Sequence, residues 1–419
     1  MNRVRRLLFL AVFLGSACAK PAPNLSVMGS KPDWNSLAPF AEAVSPAEFQ
    51  RLMNQVYSRD GSWADFFRLE GNTLEVKAPG FADGLVRVPL AAEGMPAKIP
   101  PRYWRAAPLQ HPTPKRPLAG LRIALDPGHL GGAWARMERR WFRPEGQAPI
   151  AEGDLTLGVA RQLKKRLEAL GAEVYLTRDS ADPATALRPE DLRGIAAEAL
   201  DRRQDLNLES PAAFSNLPRE EQIQRISELL FYRVAELRAR AARVNEKFQP
   251  DLTLCLHFNA ADWGDPEHPK PATGNHLHVL IPGAVEAGEW ALDDVRFEML
   301  RRLLDGSHRV ELSLAETIAN SLSARTGLPP ALVPGGSVKK VGDNPYLWSR
   351  NLLANRLFEN PTVFVEAYVM NHPHVIARLE AGDFEGRRNI GDQEVSSLYR
   401  DYAEGLAQGI LAYFQKNDE

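Results

Sequence analysis

The chain has 419 residues and a formal net charge of -2, with 51 Lys and Arg set against 53 Asp and Glu. That balance offers no basic footprint for a nucleic acid, and a chain of this length buries a large core and usually holds more than one domain. Only two cysteines occur, which excludes a small fold stapled by several disulfides.

At the N-terminus, Arg3, Arg5 and Arg6 precede an apolar run from Leu7 to Leu14 and then small residues. This reads as a secretory signal, too short to span a bilayer. Cys18 follows Gly15, Ser16 and Ala17, so residues 1–18 resemble a lipoprotein signal whose cysteine is lipidated. The expectation is an exported protein, lipid-anchored in the cell envelope and facing the periplasm. Residues 24–106 read as a small α+β module. Pro46 to Tyr57 has helical spacing, and Thr73–Val76 and Leu85–Val88 read as strands around the turn-forming Pro79-Gly80 and Asp83-Gly84. Trp34, Trp63 and Trp104 suit burial better than stacking on sugar rings. Four prolines between Pro108 and Pro117 make residues 107–117 a stiff linker.

From Leu118 onward, strand-like and helix-like runs alternate. Leu121 to Leu125 is a short apolar strand closing on Asp126-Pro127-Gly128-His129, with Gly131 and Gly132 beyond. Glu152 heads a helix whose stripe is Leu155, Val159, Leu163, Leu167 and Leu170, stopped at Gly171, and Ala172 to Thr177 is the next strand. Strand, helix, strand is the unit of a parallel sheet covered by helices. Two further apolar strands end in the same kind of residue: Asp251 to Leu256 delivers His257, and Pro361 to Val365 delivers Glu366. In such a sheet the carboxyl ends of the strands line one crevice, and His129, His257 and Glu366 converge there with Glu152. Two imidazoles and a carboxylate with one open position make a catalytic zinc site, and a further carboxylate serves as base.

These motifs resemble the zinc-dependent N-acetylmuramoyl-L-alanine amidases, amidase family three. The resemblance lies in Leu125-Asp126-Pro127-Gly128-His129-x-Gly131-Gly132, Glu152-x-Asp154-x-x-Leu157, Leu176-Thr177-Arg178, Arg240 to Asn245, Leu256-His257-x-Asn259-Ala260, and Val365-Glu366 with Asn371. It covers residues 118–419 and implies a mostly parallel twisted sheet with helices on both faces, a phosphorylase/hydrolase-like α/β fold. It also implies Zn2+ on His129, Glu152 and His257, with Glu366 catalytic, and hydrolysis of the amide between N-acetylmuramic acid and L-alanine in peptidoglycan. Asp126 is read as the brace of the His129 ring; Arg178, Arg240, Asn245 and Asn259 are read as structural. The alternatives are a zinc peptidase cutting the stem peptides and a non-catalytic peptidoglycan-binding lipoprotein.

Several stretches depart from that pattern. The gap from His129 to Glu152 is long, which makes Glu138 and Glu145 rival third ligands and adds an insertion rich in arginine and tryptophan. Residues 179–218 read as a polar surface segment. Glu220 to Phe248 reads as one long amphipathic helix with a core stripe, and Cys255 as a buried, inert thiol. His276 and His278 fall on one face of a strand. His111, His268, His308, His372 and His374 read as solvated. After Pro282, residues 284–304 carry Glu289, Asp293, Asp294 and Glu298. Some relatives place an inhibitory helix here, so the segment is expected either to be a lid that an activator protein withdraws or to be a plain surface helix. As a lid, its deletion over residues 286–306 raises basal activity. Lys339 and Arg350 lie in loop sequence near the site.

Overall fold

The computed structural model describes residues 22–81, 83–105, 113–202, 216–333 and 337–416. Cys18, His111 and much of the 107–117 stretch lie outside the described residues. The N-terminal part begins with a 3-10 turn, Trp34–Phe40, and helix α1 (Pro46–Leu52). Ser45 caps α1 by accepting from the Glu48 N–H at 3.2 Å, with Pro46 in the first turn. Strands β1 (Phe67–Glu70), β2 (Thr73–Lys77) and β3 (Leu85–Pro89) then form an antiparallel meander. Trp34, Trp63 and Trp104 are all buried. Trp34 meets Phe297 edge-on at 5.4 Å and Phe67 meets Trp290 at 5.3 Å, so this module shares its core with the larger part of the chain.

The larger part runs β4 (Arg122–Pro127), α2 (Trp134–Glu138), the short hairpin β5 (Trp141–Phe142) and β6 (Ile150–Ala151), α3 (Glu152–Ala169) and β7 (Glu173–Leu176). It continues through α4 (Arg193–Asp201), α5 (Arg219–Leu230), α6 (Glu236–Ala242), β8 (Leu252–Asn259), β9 (Leu277–Pro282), α7 (Ala287–Trp290), α8 (Asp293–Leu304) and α9 (Ser307–Thr326). It closes with β10 (Lys339–Lys340), β11 (Leu347–Arg350), α10 (Leu353–Leu357), β12 (Thr362–Val369), α11 (Pro373–Glu380) and α12 (Leu398–Lys416).

The seven-stranded sheet has the order β10-β11-β9-β12-β8-β4-β7. Strands β7, β4, β8 and β12 run parallel, so the sheet is mostly parallel as expected. β9 is antiparallel to β12 and carries β11 parallel to itself. One face buries Leu125, Leu254, Leu256, Val363 and Val365 among side chains of α3, α9 and α12. The other buries Ala124, Cys255, Leu280 and Phe364 with Ala241, Val244 and Ala354. Alternate residues of each strand thus serve opposite layers.

The direction of β9 decides the fate of the segment after it. Leu277 pairs with Ala367 and Leu280 with Phe364, so β9 begins at the Glu366 end of the sheet and leaves it at the far end. Helix α8 is accordingly a core element: Val295, Met299, Leu300, Leu303 and Leu304 are buried in the main cluster. Its acidic groups are engaged away from the histidines, Asp293 with Arg296, Asp294 with Ser26, and Glu298 with Arg356 at 2.6 Å. Both readings of residues 284–304 therefore change: α8 is a core helix and not a plain surface one, and its acidic groups are paired elsewhere than at the histidines, which gives the lid reading no support.

Two smaller expectations also change. The described part of 179–218 is more than a surface loop, since Leu192, Ala196 and Ala199 form a second cluster with Leu130, Ile223, Ile226 and Phe231. His308 is not solvated but buried, and that desolvation drives its imidazole down to about 4. The long run from Arg219 to Phe248 is helical throughout but holds two π turns, Phe231–Ala235 and Arg243–Phe248. Each π turn takes up extra residues and rotates the next stretch of helix about its axis. Between the two, Glu236 and Arg240 point into the protein.

Candidate metal centre

The loop after β4 is built to hold one histidine in an uncommon conformation. His129 has φ 57°, in the left-handed region, which costs a β-carbon-bearing residue about 1 kcal/mol or more and persists only where the surroundings impose it. Here two buried arginines impose it. Arg178 donates to the carbonyls of Pro127 at 3.0 Å, Gly128 at 3.0 Å and Gly153 at 2.6 Å. Arg240 donates to Pro127 at 2.8 Å and to His129 at 3.0 Å. Gly128 must be glycine because a β-carbon there would fall 2.2 Å from Nε2 of His257.

Three residues then meet. His129, Glu152 and His257 offer donor atoms that all lie within 4.8 Å of one another. His129 Nε2 is 3.4 Å from Glu152 Oε2, and His257 Nδ1 is 3.2 Å from Glu152 Oε1. A tetrahedral zinc with arms of about 2.1 Å sets its ligand atoms about 3.4 Å apart, so the spacing suits that ion. Glu152 Oε1 also accepts the Phe258 N–H at 3.1 Å, whereas Oε2 is buried and accepts no hydrogen bond. A carboxylate with one imidazole beside each oxygen, and one of those oxygens buried without a hydrogen bond, is a donor set that could hold a cation. Burial drives the His129 imidazole down, and although burial works to raise the Glu152 carboxyl, His129, His257 and Arg140 hold it well below the usual carboxylate range. Neutral imidazole and ionised carboxylate are the forms that bind metal.

The ring of His129 is braced by Glu138 and not by Asp126. Glu138 Oε2 lies 3.1 Å from His129 Nδ1 and accepts the Leu130 N–H at 3.0 Å, which turns Nε2 toward Glu152 Oε2. Glu138 is thus no rival ligand. Asp126 instead accepts from Thr177 Oγ1 at 2.5 Å and from Arg240 at 3.1 Å, and so holds one of the two clamps. Sequence order could not separate these carboxylates, because the brace depends on how the inserted helix α2 folds back.

Residues 123–391, well over half of the chain, match the family described as N-acetylmuramoyl-L-alanine amidase. The chain belongs to this amidase family. Solved structures with a similar fold include an N-acetylmuramyl-L-alanine amidase of Mycobacterium smegmatis, 17% identical, covering 71% of this chain and 98% of that one with a TM-score of 0.38. The apo form of the corresponding Mycobacterium abscessus enzyme is 19% identical, covering 70% and 99%, TM-score 0.37. The CwlD amidase of Clostridioides difficile, solved with the GerS lipoprotein, is 14% identical, covering 70% and 98%, TM-score 0.36. No curated protein matches the chain.

The amidase fold also positions the remaining sequence-predicted residues. Glu366 on β12 pairs with His257 on β8 and His278 on β9, which puts all three on one face. Burial pushes its carboxyl above the ordinary value, with His257 opposing. Asn259 donates to the Glu366 carbonyl at 3.0 Å. Asn245 ties the loop before β12 through Leu357 and Glu359, each at 2.9 Å. Asp154 accepts from Gly132 N–H at 3.0 Å and anchors the glycine loop to α3. His276 and His278 stack on each other at 6.3 Å beside Glu366 but do not belong to the three-residue group. Lys339 is spent on the Asn54 and Ser58 carbonyls. Arg140, 3.8 Å from Glu152, was not singled out in the sequence; its only signal was its place in the arginine-rich insertion.

Proposed function

We propose that the chain is a zinc-dependent N-acetylmuramoyl-L-alanine amidase that cleaves the bond between N-acetylmuramic acid and L-alanine in peptidoglycan, in cell-wall remodelling or cell separation. The observation that carries this reading is the convergence of His129, Glu152 and His257 beside a half-buried glutamate, Glu366, that has no side-chain hydrogen bond among the described residues. Bound there, zinc supplies Lewis-acid polarisation of the amide carbonyl and lowers the pKa of water to about 7. Glu366 takes the proton of the attacking water and returns it to the leaving amine, a task helped by the raised affinity for protons that burial gives it. Arg178, Arg240 and Glu138 keep His129 aimed through these steps. Cys18 supports export and lipid anchoring at the envelope, where peptidoglycan lies. No helix among the described residues is long and apolar enough to cross a membrane.

The test is mass spectrometry of the products when the chain from residue 24 onward digests purified sacculi with zinc, with chelator, and as Glu366→Gln. Free stem peptides and peptide-free glycan from the zinc-loaded wild type alone are the expected result. Shortened stems still joined to glycan would move the reading to a peptidase, and zinc binding with no product at all would leave a peptidoglycan-binding protein.

A further inference from the structure

The insertion between His129 and Glu152 carries four arginines within eight residues, Arg136, Arg139, Arg140 and Arg143. Arg136 lies over the Trp141 ring at 4.7 Å, and Arg143 pairs with Glu267 at 3.1 Å. Arg139, left-handed at φ 55°, ends α2 and is exposed. Arg140 is different. Its N–H donates to Ala135 at 3.0 Å and its carbonyl accepts from Glu152, the first residue of α3, at 3.0 Å. The hairpin beyond it is pinned to the loop after β8 by Arg143 N–H on the Pro266 carbonyl at 2.7 Å and by Phe142 against Trp263 at 5.3 Å. The backbone under Arg140 is therefore fixed.

Its guanidinium is not. The side chain is 37% exposed, and among the described residues it makes no hydrogen bond; its nearest anion is Glu152 Oε2 at 3.8 Å. That oxygen is the one left open for the metal. Once a divalent cation takes it, Arg140 faces a positive centre at close range and is repelled unless an anion lies between them. Its five donors in a planar fork suit a carboxylate.

We propose that Arg140 binds a carboxylate of the acidic stem peptide, and so selects anionic stems. This inference rests on the amidase reading. The experiment compares the full chain, wild type, Arg140→Gln and Arg140→Lys, on two synthetic muramyl dipeptides that differ only in whether the second residue bears a free carboxylate or its carboxamide. Turnover is read as kcat and KM in the zinc-loaded forms, binding of each dipeptide is read by calorimetry with the same proteins as Glu366→Gln double variants, and unfolding temperature is read without metal. Arg140→Gln is expected to raise KM on the carboxylate by about ten- to a hundredfold, the range of a charge-assisted hydrogen bond, with kcat and the carboxamide reaction little changed. Binding of the carboxylate dipeptide should weaken by the same factor, and Arg140→Lys should recover part of it. Equal effects on the two dipeptides overturn the proposal, as does a lowered unfolding temperature without metal alongside unchanged KM, which would make Arg140 only a counter-ion to Glu152. If neither dipeptide is cleaved by the wild type, the amidase reading fails, and the calorimetric comparison still decides whether Arg140 reads the carboxylate.

Discussion

Glu366 on β12 stands opposite His257 on β8 in a parallel ladder, so the proposed base and one metal ligand are held by strand hydrogen bonds and not by loops. Glu366→Gln keeps the shape of the side chain and removes only its ability to take a proton. Turnover should fall by about a hundred- to ten-thousandfold, the usual worth of a general base, while zinc content measured by metal analysis stays unchanged. Loss of zinc together with activity would show Glu366 to be a ligand instead.

Glu138 fixes the ring of His129, and Asp126 fixes Arg240. Glu138→Ala should therefore weaken zinc affinity by about ten- to a hundredfold, as removal of a ligand's supporting carboxylate does. Asp126→Ala leaves the buried guanidinium of Arg240 with one carboxylate fewer and should cost about 3 kcal/mol of folding stability. Competition with a fluorescent chelator and denaturant unfolding, run on both variants, separate the two effects; the reverse pattern would restore Asp126 as the brace.

Chelation should abolish turnover and also lower the unfolding temperature, because a ligand present at a hundred times its Kd stabilises the folded state by about 2.7 kcal/mol. Readdition of zinc should restore both. An unfolding temperature indifferent to zinc would mean that the cluster of His129, Glu152 and His257 does not bind it.

Helix α8 carries Leu303 into the main core at 1% exposure. Leu303→Ala should cost about 2–5 kcal/mol with no rise in basal activity, and deletion of residues 286–306 should yield unfolded protein. A folded and activated deletion variant would reinstate the lid.

Burial drives His278 down to about 3 and His308 down to about 4. In the unfolded chain each imidazole protonates near 6.5. Both folded values are depressed, so the unfolded state binds more protons, and the stability these residues contribute is lost as pH falls below 6.5 toward 4. At pH 5 each costs about 2 kcal/mol relative to neutral pH. His308→Gln should flatten the fall in unfolding temperature between pH 7 and pH 5. An unchanged slope would mean that the imidazole is already hydrated in the native state.

Local pattern along the chain was enough to say which residues could meet and at which kind of place. The apolar runs before His129, His257 and Glu366 read as buried strands, and β4, β8 and β12 prove to be parallel neighbours with their carboxyl ends together. Glu152 at the head of a helix was equally legible, since the stripe and the terminal glycine are local signals. Features beyond local pattern belonged to the tertiary structure. β9 runs against β12, so the acidic segment after Pro282 leaves at the wrong end of the sheet to cover the site. His308 has the sequence surroundings of a solvated residue, yet Tyr57 from the N-terminal module packs 6.2 Å from its ring. The choice of Glu138 over Asp126 turned on the path of a short inserted helix, and the exposure of Arg140 turned on the hairpin after it. Strand periodicity is written residue by residue, whereas strand direction and the pairing of buried charges depend on segments distant in the chain that meet only when the whole core closes.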